Sequence, residues 1–122
     1  MVVEYFFDSY ALIELAKGNP AYARFREHQV IMTVFNLIEV TNSVFLDFGE
    51  EKSKEIYQRY AECAQDLDWD IAKDAIKLKW EHKKRNLSYA DCIGYCFALR
   101  RGLRFLTGDK EFRDFPQVEF LK

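Results

Sequence analysis

Several common kinds of active site are ruled out by what this sequence lacks. It has only two histidines, His28 and His82, and no Gly-x-Ser-x-Gly turn or phosphate-cradling glycine-rich loop. Most nucleophilic hydrolases and nucleotide-binding folds are thereby excluded. Its three cysteines, Cys63, Cys92 and Cys96, form neither an even set nor a paired spacing. A disulfide framework is unexpected, and the thiols fit a reducing compartment. Cys92 and Cys96 are four residues apart, neighbours on one helix face. Zinc would need two further ligands, and neither histidine stands at a convincing spacing, so both read as small buried hydrophobes. Five glycines and two prolines are too few to form a linker, and no repeat or low-complexity tract divides the chain. The expectation is one domain, residues 1–122. The apolar start, Val2–Phe7, is far shorter than a membrane span and has no basic lead-in, so a soluble, cytoplasmic protein without membrane contact is expected.

The chain does have a large apolar content. Of its 122 residues 49% are hydrophobic and 16% aromatic, enough for a self-sufficient core. Eighteen basic residues nearly balance twenty acidic ones, for a net charge of −2. With no global pull toward a polyanion, a nucleic acid would have to be held by a local patch or through a cation.

Strand-like runs at Val2–Phe7, Gln29–Thr33, Arg104–Thr107 and Val118–Leu121, with a short one at Leu67–Trp69, alternate with helical patterns. The helices are expected after Asp8-Ser9 and over Phe35–Phe48, Glu50–Ala64, Ile71–Arg85 and Ser88–Leu99. Such alternation predicts an α/β fold, a three-layer α/β/α arrangement around a central parallel sheet. Right-handed crossovers place the strand-to-helix turns on one edge, where ligand sites of such sheets lie.

Four acids are candidates for that edge. Asp8 ends the first strand and Asp109 follows the fourth. Glu39 lies early in the helix after the second strand, and Asp91 in the first turn of its own helix. Carboxylates packed together repel one another and raise one another's pKa, and a hard divalent cation relieves that repulsion. Each acid also has a plain structural reading. Asp8 and Asp109 stand at N-cap positions, Ser88-Tyr89-Ala90-Asp91 has capping-box spacing, and Glu39 could be a solvated helix residue. Thr107 could hold one of the acids by its hydroxyl or simply end a strand. Lys77, Lys79, Lys83, Lys84, Arg85, Arg100, Arg101 and Arg104 could contact phosphates or solvate helix ends, with the last three arginines the better candidates. The phenylalanines at 35, 45 and 48 read as core or subunit contact.

The words around the acids resemble the PIN-domain family, and within it the VapC-type toxin ribonucleases. Tyr5-Phe6-Phe7-Asp8-Ser9-Tyr10-Ala11-Leu12 resembles the family's first motif and Thr33-Val34-Phe35-Asn36-Leu37-Ile38-Glu39-Val40 its second. Ser88–Ala98 is similar to the third, and Phe105-Leu106-Thr107-Gly108-Asp109-Lys110-Glu111-Phe112 to the fourth. The four words occur in family order across nearly the whole chain. The resemblance implies a PIN fold and an endoribonuclease dependent on magnesium or manganese. It further implies frequent homodimers and inhibition by a cognate antitoxin. By motif match Asp8 and Asp91 would be the principal metal ligands, and Glu39 and Asp109 would complete the catalytic centre, directly or through water. Glu50–Arg85 carries no diagnostic word. Two rival readings accompany this one: a non-catalytic PIN-like module binding RNA or a partner, and a small aspartate-dependent phosphatase. The phosphatase motif requires an aspartate two residues after Asp8, where this chain has Tyr10.

Overall fold

The structure is a computed structural model that describes residues 2–122. It contains strands β1 (Tyr5–Phe7), β2 (Met32–Thr33), β3 (Ala64–Gln65), β4 (Arg104–Thr107) and β5 (Val118–Phe120). The helices are α1 (Ser9–Ala16), α2 (Val34–Phe48), α3 (Glu50–Tyr60), α4 (Trp69–Glu81) and α5 (Tyr89–Arg101). Every strand pairing is parallel. β4 lies between β1 and β5, with Tyr5 opposite Arg104 and Phe105 opposite Val118. β2 pairs with β3, and a parallel bridge between Phe6 and Ile31 joins that pair to the free side of β1. The spatial order is therefore β3-β2-β1-β4-β5, as an α/β fold with a parallel sheet requires.

Both faces of the sheet are covered, because successive residues of a strand point to opposite sides. Phe6 and Phe105 enter a core with Ile71, Ala75, Cys92, Tyr95 and Phe97 from α4 and α5. Phe7 and Leu106 enter another with Ala11, Leu12, Leu37, Val40 and Tyr60 from α1, α2 and α3. Near-continuous apolar strands are what a sheet buried on both faces needs. At Gly94 a side chain would meet the Phe6 ring at 2.7 Å, so this glycine lets α5 lie flat on the sheet. Cys92 and Cys96 are buried free thiols on that helix. Burial pushes the Cys92 thiol up to about 11 and the Cys96 thiol up to about 12. No helix among the described residues is long and apolar enough to cross a membrane.

Several expected boundaries move, each for a local reason. β1 is only Tyr5–Phe7, because β4 offers partners from Arg104 onward and Val2 and Val3 are left exposed. The strand expected at Leu67–Trp69 falls at Ala64–Gln65 instead. Asp68 accepts a hydrogen bond from the Ile71 amide at 3.0 Å, so it starts α4. Lys83, Lys84 and Arg85 lie beyond the end of α4. Phe35, Phe45 and Phe48 are exposed on α2, so of the two readings, core or subunit contact, the core one does not hold.

Candidate active site

Because the strands are parallel, their carboxyl ends share one edge. β1 runs into Asp8, β2 into the start of α2, and β4 through Gly108 into Asp109. α5 ends at Arg101 just before β4 begins, so it runs antiparallel to that strand and its first turn, with Asp91, returns to the same edge. Topology thus brings the four acids together from four separate stretches of sequence.

Each acid is also a structural acceptor, and the capping readings hold alongside the functional one. Asp8 is the N-cap of α1: its Oδ1 accepts from the Ala11 amide at 2.7 Å, and its Oδ2 accepts a short hydrogen bond from the Thr107 hydroxyl. Asp91 closes a capping box, its Oδ2 accepting from the Ser88 amide at 2.9 Å while Ser88 Oγ accepts from the Asp91 amide at 3.1 Å. Asp109 Oδ1 accepts from the Glu111 amide at 3.0 Å and starts a short 3-10 turn. Glu39 Oε1 accepts from the Ser9 hydroxyl at 2.6 Å. Among the described residues this leaves one oxygen each of Asp91, Asp109 and Glu39 without a protein donor. Capping fixes Asp91 and Asp109 in place, and the Ser9 hydroxyl fixes Glu39, while one oxygen of each stays open to other partners.

The electrostatics show that these acids lie within reach of one another's charge. Asp8 is only 2% exposed, and burial drives its carboxyl up to about 8. The hydrogen bonds from Thr107 and Ala11 oppose that rise, and the charges of Asp91 and Asp109 add to it. Burial likewise raises Asp91 to about 6, with Glu39 and Asp109 adding repulsion. Elsewhere several acids have ion-pair partners: Asp74 with Arg100, Asp68 with Arg101, Asp114 with Arg85 and Glu119 with Arg104. None of the four site acids joins an ion pair among the described residues. A buried, unpaired carboxylate beside others of its own sign is an arrangement that favours either a proton or a cation.

The donor set is oxygen only, which suits a hard divalent ion rather than zinc. No three His, Cys, Asp or Glu side chains among the described residues stand close enough to form a direct metal cage.

Thr107 proves to be more than a strand end. Its hydroxyl donates to Asp8 and accepts from the Asp109 amide at 3.0 Å, tying two of the acids together. Gly108 lies between them because a side chain there would collide with the Tyr10 ring and stand 2.7 Å from the Leu121 carbonyl. Thr107→Val keeps the shape and removes both hydrogen bonds in a fully buried position. The expected loss is about 1–3 kcal/mol by chemical denaturation, with Thr107→Ser close to the parent.

The arginines do not belong to this site. Arg100 and Arg101 lie at the far end of α5, roughly 15 Å along the helix from Asp91, and Arg104 starts β4 at the opposite edge. All three are engaged by acids. The expectation that they would be the better phosphate contacts is corrected by this placement. Sequence reasoning also passed over Thr33 and Asn36, and took Ser9 only as a cap. Small polar residues scattered over two segments have no periodicity to mark them.

A family model described as PIN domain matches residues 5–118. No curated protein matches the chain. Among solved structures it is similar to a chain of a toxin–antitoxin complex from Klebsiella pneumoniae. That match has 22% identity and a TM-score of 0.74, covering 95% of this chain and 96% of the other. It is also similar to VapC20 of Mycobacterium tuberculosis, described as a sarcin–ricin-loop-cleaving toxin. There the identity is 15% and the TM-score 0.75, over 98% of this chain and 100% of the other. A protein from Pyrobaculum aerophilum matches at 20% identity with a TM-score of 0.69, over 98% and 92% of the two chains.

Proposed function

The chain belongs to the PIN-domain family, and from that membership we propose that it is a metal-dependent endoribonuclease, the toxin of a toxin–antitoxin pair. The observation that carries the reading is the set of four acids, Asp8, Glu39, Asp91 and Asp109, gathered on one sheet edge with no basic side chain paired to any of them among the described residues. Asp8 and Asp91, the two acids whose carboxyls are driven up, would hold magnesium or manganese. When bound, such an ion supplies positive charge to the scissile phosphate and acidifies water for attack.

The rest is the work of the chain's own residues. Thr107 and the Ala11 amide hold the Asp8 carboxylate at the root of the site. Ser88 holds Asp91, and the start of the 3-10 turn holds Asp109. Glu39, whose Oε2 has no protein donor among the described residues, is placed to accept a proton or to orient water. The RNA backbone would be drawn to the cation rather than to a basic groove, which agrees with the near-neutral net charge. A cognate antitoxin as partner and a homodimer belong to the same proposal. The exposed apolar residues Phe35, Ile38, Phe45 and Leu46 on α2 supply surface for such contacts.

The test is direct. Purified protein is expected to cut single-stranded RNA in magnesium or manganese and to stop in EDTA, with Asp91→Asn inactive but folded, since asparagine keeps the capping acceptor. RNA that is bound and left intact would replace this reading with that of a binding module.

A further inference from the structure

We propose that Ser9 and Asn36 are positioning residues for Glu39, the last members of a hydrogen-bond relay whose direction is fixed at the end of β2. The relay begins at a group that can only donate. The Thr33 amide donates to Asn36 Oδ1 at 3.1 Å, and the Thr33 hydroxyl donates to the same oxygen at 2.9 Å. Two donors on one oxygen settle which end of the Asn36 amide is which. Its Nδ2 therefore faces the other way and donates to Ser9 Oγ at 3.1 Å. With that lone pair taken, the Ser9 proton goes to Glu39 Oε1 at 2.6 Å.

The consequence is chemical. Each link in Thr33–Asn36–Ser9–Glu39 has one polarity, so Glu39 is presented as an acceptor, with Oε1 engaged and Oε2 directed elsewhere. Asn36 is 1% exposed and Thr33 fully buried, and the two form the capping box of α2. A relay rooted in buried residues, with its last links part-buried, restricts a carboxylate to one orientation better than a solvated side chain would. It also joins the start of α1, next to Asp8, to the helix that carries Glu39, so the two acids are held in one frame. The Asn36 side chain thus has a task beyond capping, since its Nδ2 would otherwise be a buried donor without an acceptor.

The kinetic arm of the test rests on the ribonuclease reading, and a second arm does not. With single-stranded RNA and manganese, Ser9→Ala is expected to lower kcat about tenfold with KM for RNA within about twofold of the parent. Ser9→Thr keeps the hydroxyl and is expected to restore kcat. Asn36→Leu is expected to lower kcat similarly, and the double variant to fall no further, because both changes break one relay. Full kcat in Ser9→Ala, no rescue by Ser9→Thr, or losses that multiply would overturn the proposal. In the second arm, the Asn36 side-chain amide is followed by NMR without metal or RNA. Ser9→Ala is expected to shift its resonances and speed its hydrogen exchange, and an unchanged amide would overturn the relay. If the parent protein cuts no RNA, the ribonuclease reading falls, and the amide measurement still decides the relay.

Discussion

Asp8→Asn is expected to abolish RNA cleavage while making the metal-free protein more stable at pH 8. The two effects share one cause. Asp8 is buried beside Asp91 and Asp109, and its carboxyl is driven up to about 8. Removing its charge takes away a ligand and several kcal/mol of transition-state stabilisation, about a thousandfold in rate or more. The same change removes the cost of holding a proton, or a dry charge, that the unfolded chain does not bear at that pH, a gain on the order of a few kcal/mol less what the Thr107 hydroxyl loses with its acceptor. Asparagine can keep the acceptor for the Ala11 amide, so the α1 cap survives. Denaturation in EDTA at pH 8, beside the cleavage assay, reads both effects. An inactive variant that is also less stable would mean that Asp8 acts through folding.

The metal-free protein is expected to lose stability as pH rises from about 4 to about 8, opposite to the usual behaviour of a paired carboxylate. An unfolded aspartate titrates near 3.8, and folding raises Asp8 to about 8 and Asp91 to about 6. The folded state therefore holds these protons more tightly. Their contribution is complete below pH 3.8 and is lost as pH climbs through 6 for Asp91 and then 8 for Asp8. Asp74 and Asp114 shift downward beside Arg100 and Arg85, but both lie in solvent and count for little. A bound cation reverses the trend because it replaces the protons. Magnesium at a hundred times its Kd adds about 2.7 kcal/mol at pH 8, and much less at pH 5, where it must compete with protons. Thermal melts across pH with EDTA or magnesium check this. A Tm that rises with pH in EDTA would contradict it.

Some of this could be read directly from the residues. The apolar runs ending in Asp8 and Asp109 announced two strands, and the alternation with helices announced a parallel sheet; that the two strands are neighbours came from the structure. The capping spacing of Ser88 and Asp91 is present as read. What the residues concealed was of two kinds. Short strands have no period of their own: β3 is two residues, Ala64–Gln65, fixed only by pairing with Met32–Thr33. Spatial position was the other. Arg100 and Arg101 follow Asp91 in sequence, yet a helix running antiparallel to the sheet carries them to the far edge. The support under Glu39 was hidden for the same reason: Thr33 and Asn36 are neighbours at one helix start, but Ser9 reaches Asn36 and Glu39 only when β1 and β2 lie side by side.

The tension between capping and catalysis also resolves in physical terms. A cap uses one carboxylate oxygen, and a divalent ion or its water shell needs only the other. Asp91 and Asp109 can therefore begin a helix and a turn while presenting charge to the edge, and the backbone donors that satisfy the first oxygen keep the second from wandering. Asp8 differs, since both its oxygens already have donors, and its role rests on the hydroxyl of Thr107 giving way or sharing.

Calorimetric titration of manganese into metal-free protein at pH 7, in two buffers of different ionisation enthalpy, tests the central claim most directly. Saturable binding accompanied by proton release is expected, because Asp8 is largely protonated before the ion arrives, with both signals lost in Asp8→Asn. Binding that releases no proton, or that is unchanged in Asp8→Asn, would contradict it.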